Sequence, residues 1–389
     1  MKKFLLGAIA LIGFGMVAGA AMADNNSNAM PGNGPIVSIG GFADFEAGWA
    51  SQKSQFETPP FNRKFKLRDY DEIHVNVNGQ TDNGIGYGAV IQLEADVTPD
   101  DTNFGANADK TYIFLESRLG RLEFGSNTDA ARTLKVDAAT FARASGGIDG
   151  DWYHWVNLTG TNQQQMFIIR PDLPTAHALG TRAPNANKIT YYSPRIGGVQ
   201  FGLSFTPDQG DIGTATGWTG NTNGDYQNVV NTGLNYTTQF GQVSLAAAVT
   251  GEFARNELAI KEDLRAYNGG LNLGYAGFTL GGSYGGWDRS TQLKALPGVV
   301  LINANGSGQS KYWDLGAAYE TGPYALSLTY LGSTYAGVNK FSNISAGTDY
   351  KLAPGLTPFL EANFFKLDQG GATESNSGTV ALVGTQLNF

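Results

Sequence analysis

The 389-residue chain has no cysteine, only three histidines, and 15% charged residues, against the ~25% usual for a globular domain. Without cysteine there is nothing to mispair in transit through an oxidising compartment. His74, His154 and His177 include no pair at metal-ligand spacing. Beyond the first two dozen residues no stretch of ~18 apolar residues exists to build a membrane-spanning helix. No basic tail or groove is present, and the formal charge of −8 argues against a nucleic-acid partner. Mean hydropathy is nonetheless only −0.21, so the scarcity of charge is not matched by a surplus of apolar residues.

What the chain does have is glycine, 53 residues, about twice the usual ~7%, and strict alternation. Val199, Phe201, Leu203 and Phe205 share one face while Gln200, Gly202 and Ser204 share the other, as a period-2 strand requires. Phe278–Tyr284, Trp313–Tyr319 and Tyr324–Tyr330 repeat the pattern. The chain ends on such a strand, with Ala381, Val383, Thr385, Leu387 and Phe389 on one side and Gly384, Gln386 and Asn388 on the other. Alternation resolves the hydropathy paradox, because a closed barrel shows an apolar exterior to lipid and a polar face to water. The amino terminus agrees: Lys2 and Lys3, the apolar run Phe4 to Val17, and Ala21-Met22-Ala23 before Asp24 read as a secretory signal. Its apolar core is shorter than the ~20 residues of a spanning helix. Removing residues 1–23 leaves 366 residues with a formal charge of −10, since two lysines and no acids are lost. Residues 24–35 then form an amino-terminal segment and 36–389 the barrel.

The pattern predicts an all-β transmembrane antiparallel barrel of about sixteen strands, at 36–50, 62–79, 85–97, 110–118, 121–126, 187–195, 198–206, 226–239, 242–253, 263–275, 277–288, 310–321, 323–334, 341–352, 356–367 and 378–389. Strands four and five are the least distinct, since Thr111–Leu115 is apolar on both faces, which leaves fourteen and eighteen strands as alternative counts. Tight turns such as Asp82-Asn83-Gly84, Phe240-Gly241 and Thr321-Gly322-Pro323 carry the Gly, Asn and Pro that turns need. Longer polar segments alternate with them, near 51–60, 98–109, 127–187, 207–225, 254–262, 289–309, 335–340 and 369–377. Short turns at one end and long loops at the other are the periplasmic and extracellular ends of an outer-membrane barrel. A sheet this wide leaves a bore that wall side chains do not fill, which predicts an aqueous lumen.

The signal, the strand count, Leu119-Gly120-Arg121-Leu122-Glu123-Phe124-Gly125 before the longest loop, that loop's place after strand five, and the terminal Phe389 together resemble the general diffusion porins of Gram-negative outer membranes. The resemblance covers essentially the whole mature chain. It implies a third extracellular loop folded into the lumen as a constriction, a homotrimer, passive diffusion of small hydrophilic solutes and ions, and Phe389 as a signal to the barrel assembly machinery. Surrounding lipid and lipopolysaccharide, and no nucleic acid, complete the implied partners.

The segment 127–187 is far longer than an ordinary connection. Ala130–Arg143 has the makings of a short helix, and Trp152, Tyr153 and Trp155 are suited to wedge the loop against the wall. A lid over the mouth is the alternative. Lys64, Lys66 and Arg68 share a face of strand two with Tyr70, Glu72 and His74. Because Arg or Lys facing lipid at mid-depth costs ~2–4 kcal/mol, this basic wall is expected to face the lumen. Asp129, Asp137, Asp149 and Asp151 are the candidate acidic counter-wall, with Arg132, Lys135 and Arg143 on the same loop. Asp69 and Asp71 interrupt the opposite, outward face, at the rim or at a subunit contact.

Catalytic patterns are poorly supported. Gly281-Gly282-Ser283-Tyr284-Gly285 has the spacing of a nucleophile elbow, but it sits in an alternating strand instead of on a strand-to-helix turn. No cofactor is implied; Asp100-Asp101 and Asp149-Gly150-Asp151 are at most loop Ca²⁺ ligands, and neither completes an EF-hand. A substrate-selective channel and a plugged structural or adhesive barrel remain as alternative functions.

Overall fold

In the computed structural model every strand is hydrogen-bonded on both sides. The structure describes residues 34–57, 63–95, 108–157, 167–177, 185–213, 224–294, 308–370 and 375–389. The signal-like segment 1–23 and Asp100-Asp101 lie outside them. The strands are β1 (Ile36–Gln52), β2 (Phe65–Gln80), β3 (Gly86–Glu94), β4 (Ala108–Ser117), β5 (Gly120–Ser126), β6 (Asn187–Tyr192), β7 (Val199–Asp208), β8 (Tyr226–Phe240), β9 (Val243–Asn256), β10 (Leu264–Tyr275), β11 (Phe278–Asp288), β12 (Ser310–Thr321), β13 (Tyr324–Tyr335), β14 (Asn339–Tyr350), β15 (Leu356–Asp368) and β16 (Ser375–Asn388). Each pairs antiparallel with its sequence neighbours, and β1 pairs with β16 to close the ring. The sixteen-strand expectation is met. The terminal residue takes part, its N–H donating to the Gly41 carbonyl at 3.1 Å while the Gly41 N–H donates to its carbonyl at 3.0 Å.

Turns at one end have two to six residues; loops at the other run from three to 60. Several strand boundaries shift by up to three residues from the sequence reading, and two of the shifts have a visible local cause. The loop expected near 335–340 shrinks to three residues, because Ala336 and Gly337 adopt φ of 53° and 78° and turn the chain at once. β4 begins at Ala108, paired across a bulge between Gln92 and Leu93. Its two apolar faces have separate causes: Ile113 and Leu115 face outward, and Tyr112 and Phe114 pack inward with Val90.

The lumen is not simply aqueous. Residues 127–157 and 167–177 follow the inner wall and build a dry core against it. Trp152, fully buried, stacks on Phe341 of β14 and Phe365 of β15, with ring centroids 5.7 and 5.6 Å apart. Ile148, Phe167, Ile168, Trp287, Leu331, Leu367, Val380 and Leu382 join the same cluster. The loop comes this close because inward positions beneath it lack side chains. At Gly202 and Gly233 a Cβ would meet Leu134, at Gly270 the Val136 carbonyl, at Gly347 the Arg143 carbonyl, and at Gly48 the Trp155 indole. Part of the glycine surplus is therefore a track for the loop. The expected helix over 130–143 is shortened to α1 (Ala130–Leu134), followed by a 3-10 turn at Ala139–Phe141. A straight helix would leave the curved wall; instead the chain extends at Lys135, with φ −56° and ψ 146°, and passes on to β10 and β12.

Gly316 offers a direct test, since a Cβ there would lie 3.0 Å from both Ala138 and Phe141. Gly316→Leu should leave the barrel assembled, seen as heat-modifiable migration on a gel, while trypsin cleaves at Arg132 and Lys135 at least about tenfold faster as the loop lifts. Unchanged cleavage would mean that close approach does not hold the loop.

Candidate functional site

The inner wall holds the loop by its backbone. Glu361 of β15 accepts from the Ser145 N–H at 3.1 Å, the Ser145 hydroxyl at 3.0 Å and the Gly147 N–H at 3.2 Å. Asp314 of β12 accepts from the Ala138 N–H at 2.7 Å. Glu252 of β9 accepts from the Thr175 N–H at 3.1 Å and from its hydroxyl. Each carboxylate is at most 3% exposed, so each takes up loop donors that water does not reach.

Fixed in this way, the loop presents a line of ion pairs across the lumen. At one end Arg68 of β2 lies 3.4 Å from Glu46 of β1 and 3.2 Å from Asp151 of the loop, and its guanidinium sits 5.0 Å over the Tyr70 ring. His154 is 3.4 Å from the other oxygen of Asp151. Next, Arg170 lies 3.5 Å from Asp149 and 4.4 Å over the Tyr153 ring. At the far end Lys135 bridges Asp172 at 2.6 Å and Asp137 at 2.8 Å, with Arg132 3.8 Å from Asp172. Burial pushes the Asp172 carboxyl up, but Lys135 and Arg132 together outweigh it and hold the group below the usual carboxylate range. Burial, then the Asp172 charge, pushes Asp149 up to about 6. Asp151 is lowered despite its burial, by the His154 hydrogen bond and the Arg68 charge.

This geometry, a closed barrel with a long inward loop whose charges meet those of the wall, can be set beside known proteins. The family model of Gram-negative porins matches residues 7–370. The chain belongs to that family. Full-length relatives include uncharacterized proteins of Rickettsia bellii, 27% identical, and Rickettsia prowazekii, 26% identical, each alignment covering 100% of both chains. Among solved structures, an anion-selective porin from Comamonas acidovorans superposes with a TM-score of 0.60 at 15% identity, and a mutant Rhodopseudomonas blastica porin with 0.57 at 17%. Each covers 91% of this chain and 100% of its own. The protein is thus an outer-membrane porin, forming a channel through its barrel.

The porin's geometry distributes the sequence candidates unevenly. Arg68, Asp151, Asp149, Lys135, Arg132 and Asp137 come together in the ion-pair line. Lys66, half-buried, lies on the same inward face of β2 as Arg68. Lys64 precedes β2 and is paired with Glu57 at 3.2 Å, with its side chain 52% exposed, which puts it at the rim above the expected ladder. Asp129 is a helix cap, accepting the Arg132 N–H at 3.0 Å, and Arg143 turns aside to pair with Glu320. Trp152 and Trp155 are buried anchors, whereas Tyr153 supports Arg170. The Asp149-Gly150-Asp151 segment, considered for Ca²⁺, has both carboxylates engaged by arginines. Ser283 of the elbow-like pattern lies within β11 beside Asn268 and Asp314. Arg170, Asp172 and Glu46 were missed from the sequence. The signal for the first two was present in Phe167-Ile168-Ile169-Arg170-Pro171-Asp172-Leu173, an apolar stretch around two charges in an otherwise polar loop.

His177 closes this second limb of the loop. It accepts the Ile169 N–H at 3.2 Å and stands edge-on to Trp287 at 5.2 Å. Burial pushes its pKa down to about 3. An opened limb would titrate near 6.5, so it binds more protons than the docked one between those values. The His177 contribution to docking should therefore weaken by about 1.4 kcal/mol per pH unit as pH falls from about 6.5 towards 3, while Asp149, raised on docking, and Asp172, lowered, add slopes of opposite sign. Comparing hydrogen exchange at Ile169 in wild type and His177→Gln isolates the first: the ratio of their opening equilibria should rise about tenfold per unit over that window. A ratio that stays flat would remove His177 from the docking balance.

Proposed function

We propose that this porin is a general diffusion channel for small hydrophilic solutes with a mild preference for anions, its constriction being the ion-pair line between β2 and the inward loop. The observation that carries this reading is unequal exposure. Arg68, Arg132 and Arg170 keep 23%, 20% and 23% of their side chains exposed, Asp149 and Asp151 keep 18% and 15%, and Asp137 and Asp172 are sealed at 1%. A passing ion thus meets more guanidinium than carboxylate. The anion-selective porin of Comamonas acidovorans fits the same reading, although its 15% identity carries only the fold.

In planar bilayers under a dilute salt gradient, Arg68→Gln with Arg170→Gln should move the reversal potential towards cations, and Asp149→Asn with Asp151→Asn towards anions. Both shifts should shrink at 1 M salt, where screening acts over ~3 Å. Open channels with unchanged potentials in both variants would place the constriction elsewhere. A substrate-selective channel, the second reading, would instead saturate with one solute class.

We also infer a homotrimer exported by the amino-terminal signal. Asp69 is exposed on the outward face of β2 opposite Phe45, and Asp71 beside it accepts the Asp44 N–H at 3.1 Å. A neighbouring subunit would shield these carboxylates from lipid. Phe389 is taken as the assembly signal, its side chain 62% exposed at the end of the outward face. Unheated outer-membrane extracts should migrate near three times the monomer mass, with an intact mass beginning at Asp24, and deletion of Phe389 should lower the amount assembled. Monomer migration, an unprocessed mass or normal assembly of the truncated chain would each overturn the corresponding inference.

A further inference from the structure

The two neighbours of β1 do not cover it equally. It pairs with β2 from Ile36 to Trp49 but with β16 only from Phe42 to Gln52, and the Gly41–Phe389 exchange is the last bond of that seam. Successive residues of a strand send their backbone groups to alternate sides. Gly41 turns to β16, so Ile39 and Val37 turn the same way, past the end of the chain. Their N–H and C=O groups on that side have no partner among the described residues. Pro35 would come next and has no N–H, so the open edge is limited to Val37 and Ile39.

Such an edge does not belong in hydrocarbon, where unbonded peptide groups are too costly. It stands in water at the end of the barrel that carries the short turns, the periplasmic end. Ile36, Val37 and Ile39 are 50%, 60% and 70% exposed there, and across β2 the outward pair is backed by Val77 and Val75. The carboxylate of Phe389 closes the upper end of the step, so near that a Cβ on Gly40 would lie 2.9 Å from one of its oxygens. An apolar strand with open donors and acceptors pairs with another chain unless something covers it.

We propose that this edge takes up the amino-terminal arm of a periplasmic protein as an added strand. An incoming segment has two directions open to it. Parallel to β1, its carboxy end would run up against the Phe389 carboxylate. Antiparallel, it continues the line of β16, and any residue ahead of the first would collide with Phe389. What fits is therefore a chain that begins there, its free ammonium facing that carboxylate. In the register that continues β16, the second and fourth residues of the arm meet Ile39 and Val37 and share their outward, apolar face, while the third lies beside Ser38 on the opposite face. The arm is thus short and extended, with small or polar residues alternating with apolar ones. The proposal goes beyond the channel reading and rests on it only for the periplasmic position of the short turns.

The test uses the whole purified porin in detergent and a fluorescent hexapeptide of alternating threonine and valine, free at its amino terminus, read by anisotropy. Binding should be saturable. Val37→Pro with Ile39→Pro removes only N–H groups that point to the open edge. That variant should keep heat-modifiable migration and wild-type single-channel conductance while binding the peptide at least about tenfold more weakly. On wild type, the same peptide N-methylated at its second and fourth residues should lose as much, which needs no altered protein, and the amino-acetylated peptide should lose about threefold. Equal binding by the proline variant, or of the methylated or acetylated peptide, would overturn the proposal. Peptide binding that appears only after residues 24–33 are deleted would give the edge to the chain's own amino terminus, and porin-to-porin association lost in the proline variant would give it to a second copy; either result also overturns it. Absence of conductance in wild type would instead sink the porin reading, and so separates the two failures.

Discussion

Everything in this molecule follows from the absence of water inside a bilayer. A peptide group in hydrocarbon has only other peptide groups to bond, so a sheet that crosses must close on itself. Closure occurs where Phe42–Gln52 of β1 meets Gly378–Asn388 of β16, with Phe389 and Gly41 exchanging the last pair of hydrogen bonds. Once the ring is closed, each strand has one face in lipid and one in the lumen, and the period-2 alternation becomes obligatory. A one-residue slip anywhere would turn Leu315 and Leu328 inward and Asp314 and Ser327 into lipid.

A ring of this size leaves a space too wide for its own side chains, and the inward loop fills part of it as a second, smaller fold that uses the barrel as a mould. Two kinds of contact hold it. Inward glycines let its backbone lie against the wall and bring Trp152 and its neighbours into a dry core. Wall carboxylates take the N–H groups that this irregular backbone cannot bond to itself. The second device is double-edged: Glu361, Asp314 and Glu252 satisfy loop donors, but each is a buried acid whose removal would strand several N–H or O–H groups at once. The loop is therefore held at separate places around the circumference, and no single strand carries it.

The strands, their number and the place of the long loop were legible because lipid imposes the same alternation on every crossing. Val380 and Leu382 show where that legibility stops. They face inward, against the rule of a polar lumen, because the loop core covers them; without the loop's path they merely blur the alternation of β16. The ion pairs were legible only in part. Lys135 and Asp137 are two residues apart and their pairing is local, but Arg68 finds Asp151 and Lys135 finds Asp172 only because the loop runs round the wall. Lys64 departs from the reading for a smaller reason: β2 starts at Phe65, three residues beyond the expected 62, and that shift leaves Lys64 at the rim instead of in the basic wall.

The pairing itself limits how strongly such a constriction can discriminate. An arginine 3.2 Å from a carboxylate is, to a distant ion, nearly a neutral dipole, and in ~0.15 M salt what field remains fades over ~8 Å. Only a solute that comes within a few ångströms of the line distinguishes the partly exposed guanidiniums from the more recessed carboxylates. Unpaired charges would sense ions from further away, but on a loop packed this tightly they would bear a desolvation cost without a partner. The fold can keep its loop docked or give its lumen a long-range field, and the sealing of Asp137 and Asp172 beneath their cations shows that docking prevails. Selectivity is then a short-range property of the narrowest section, which suits a channel that admits many small solutes and sorts them weakly.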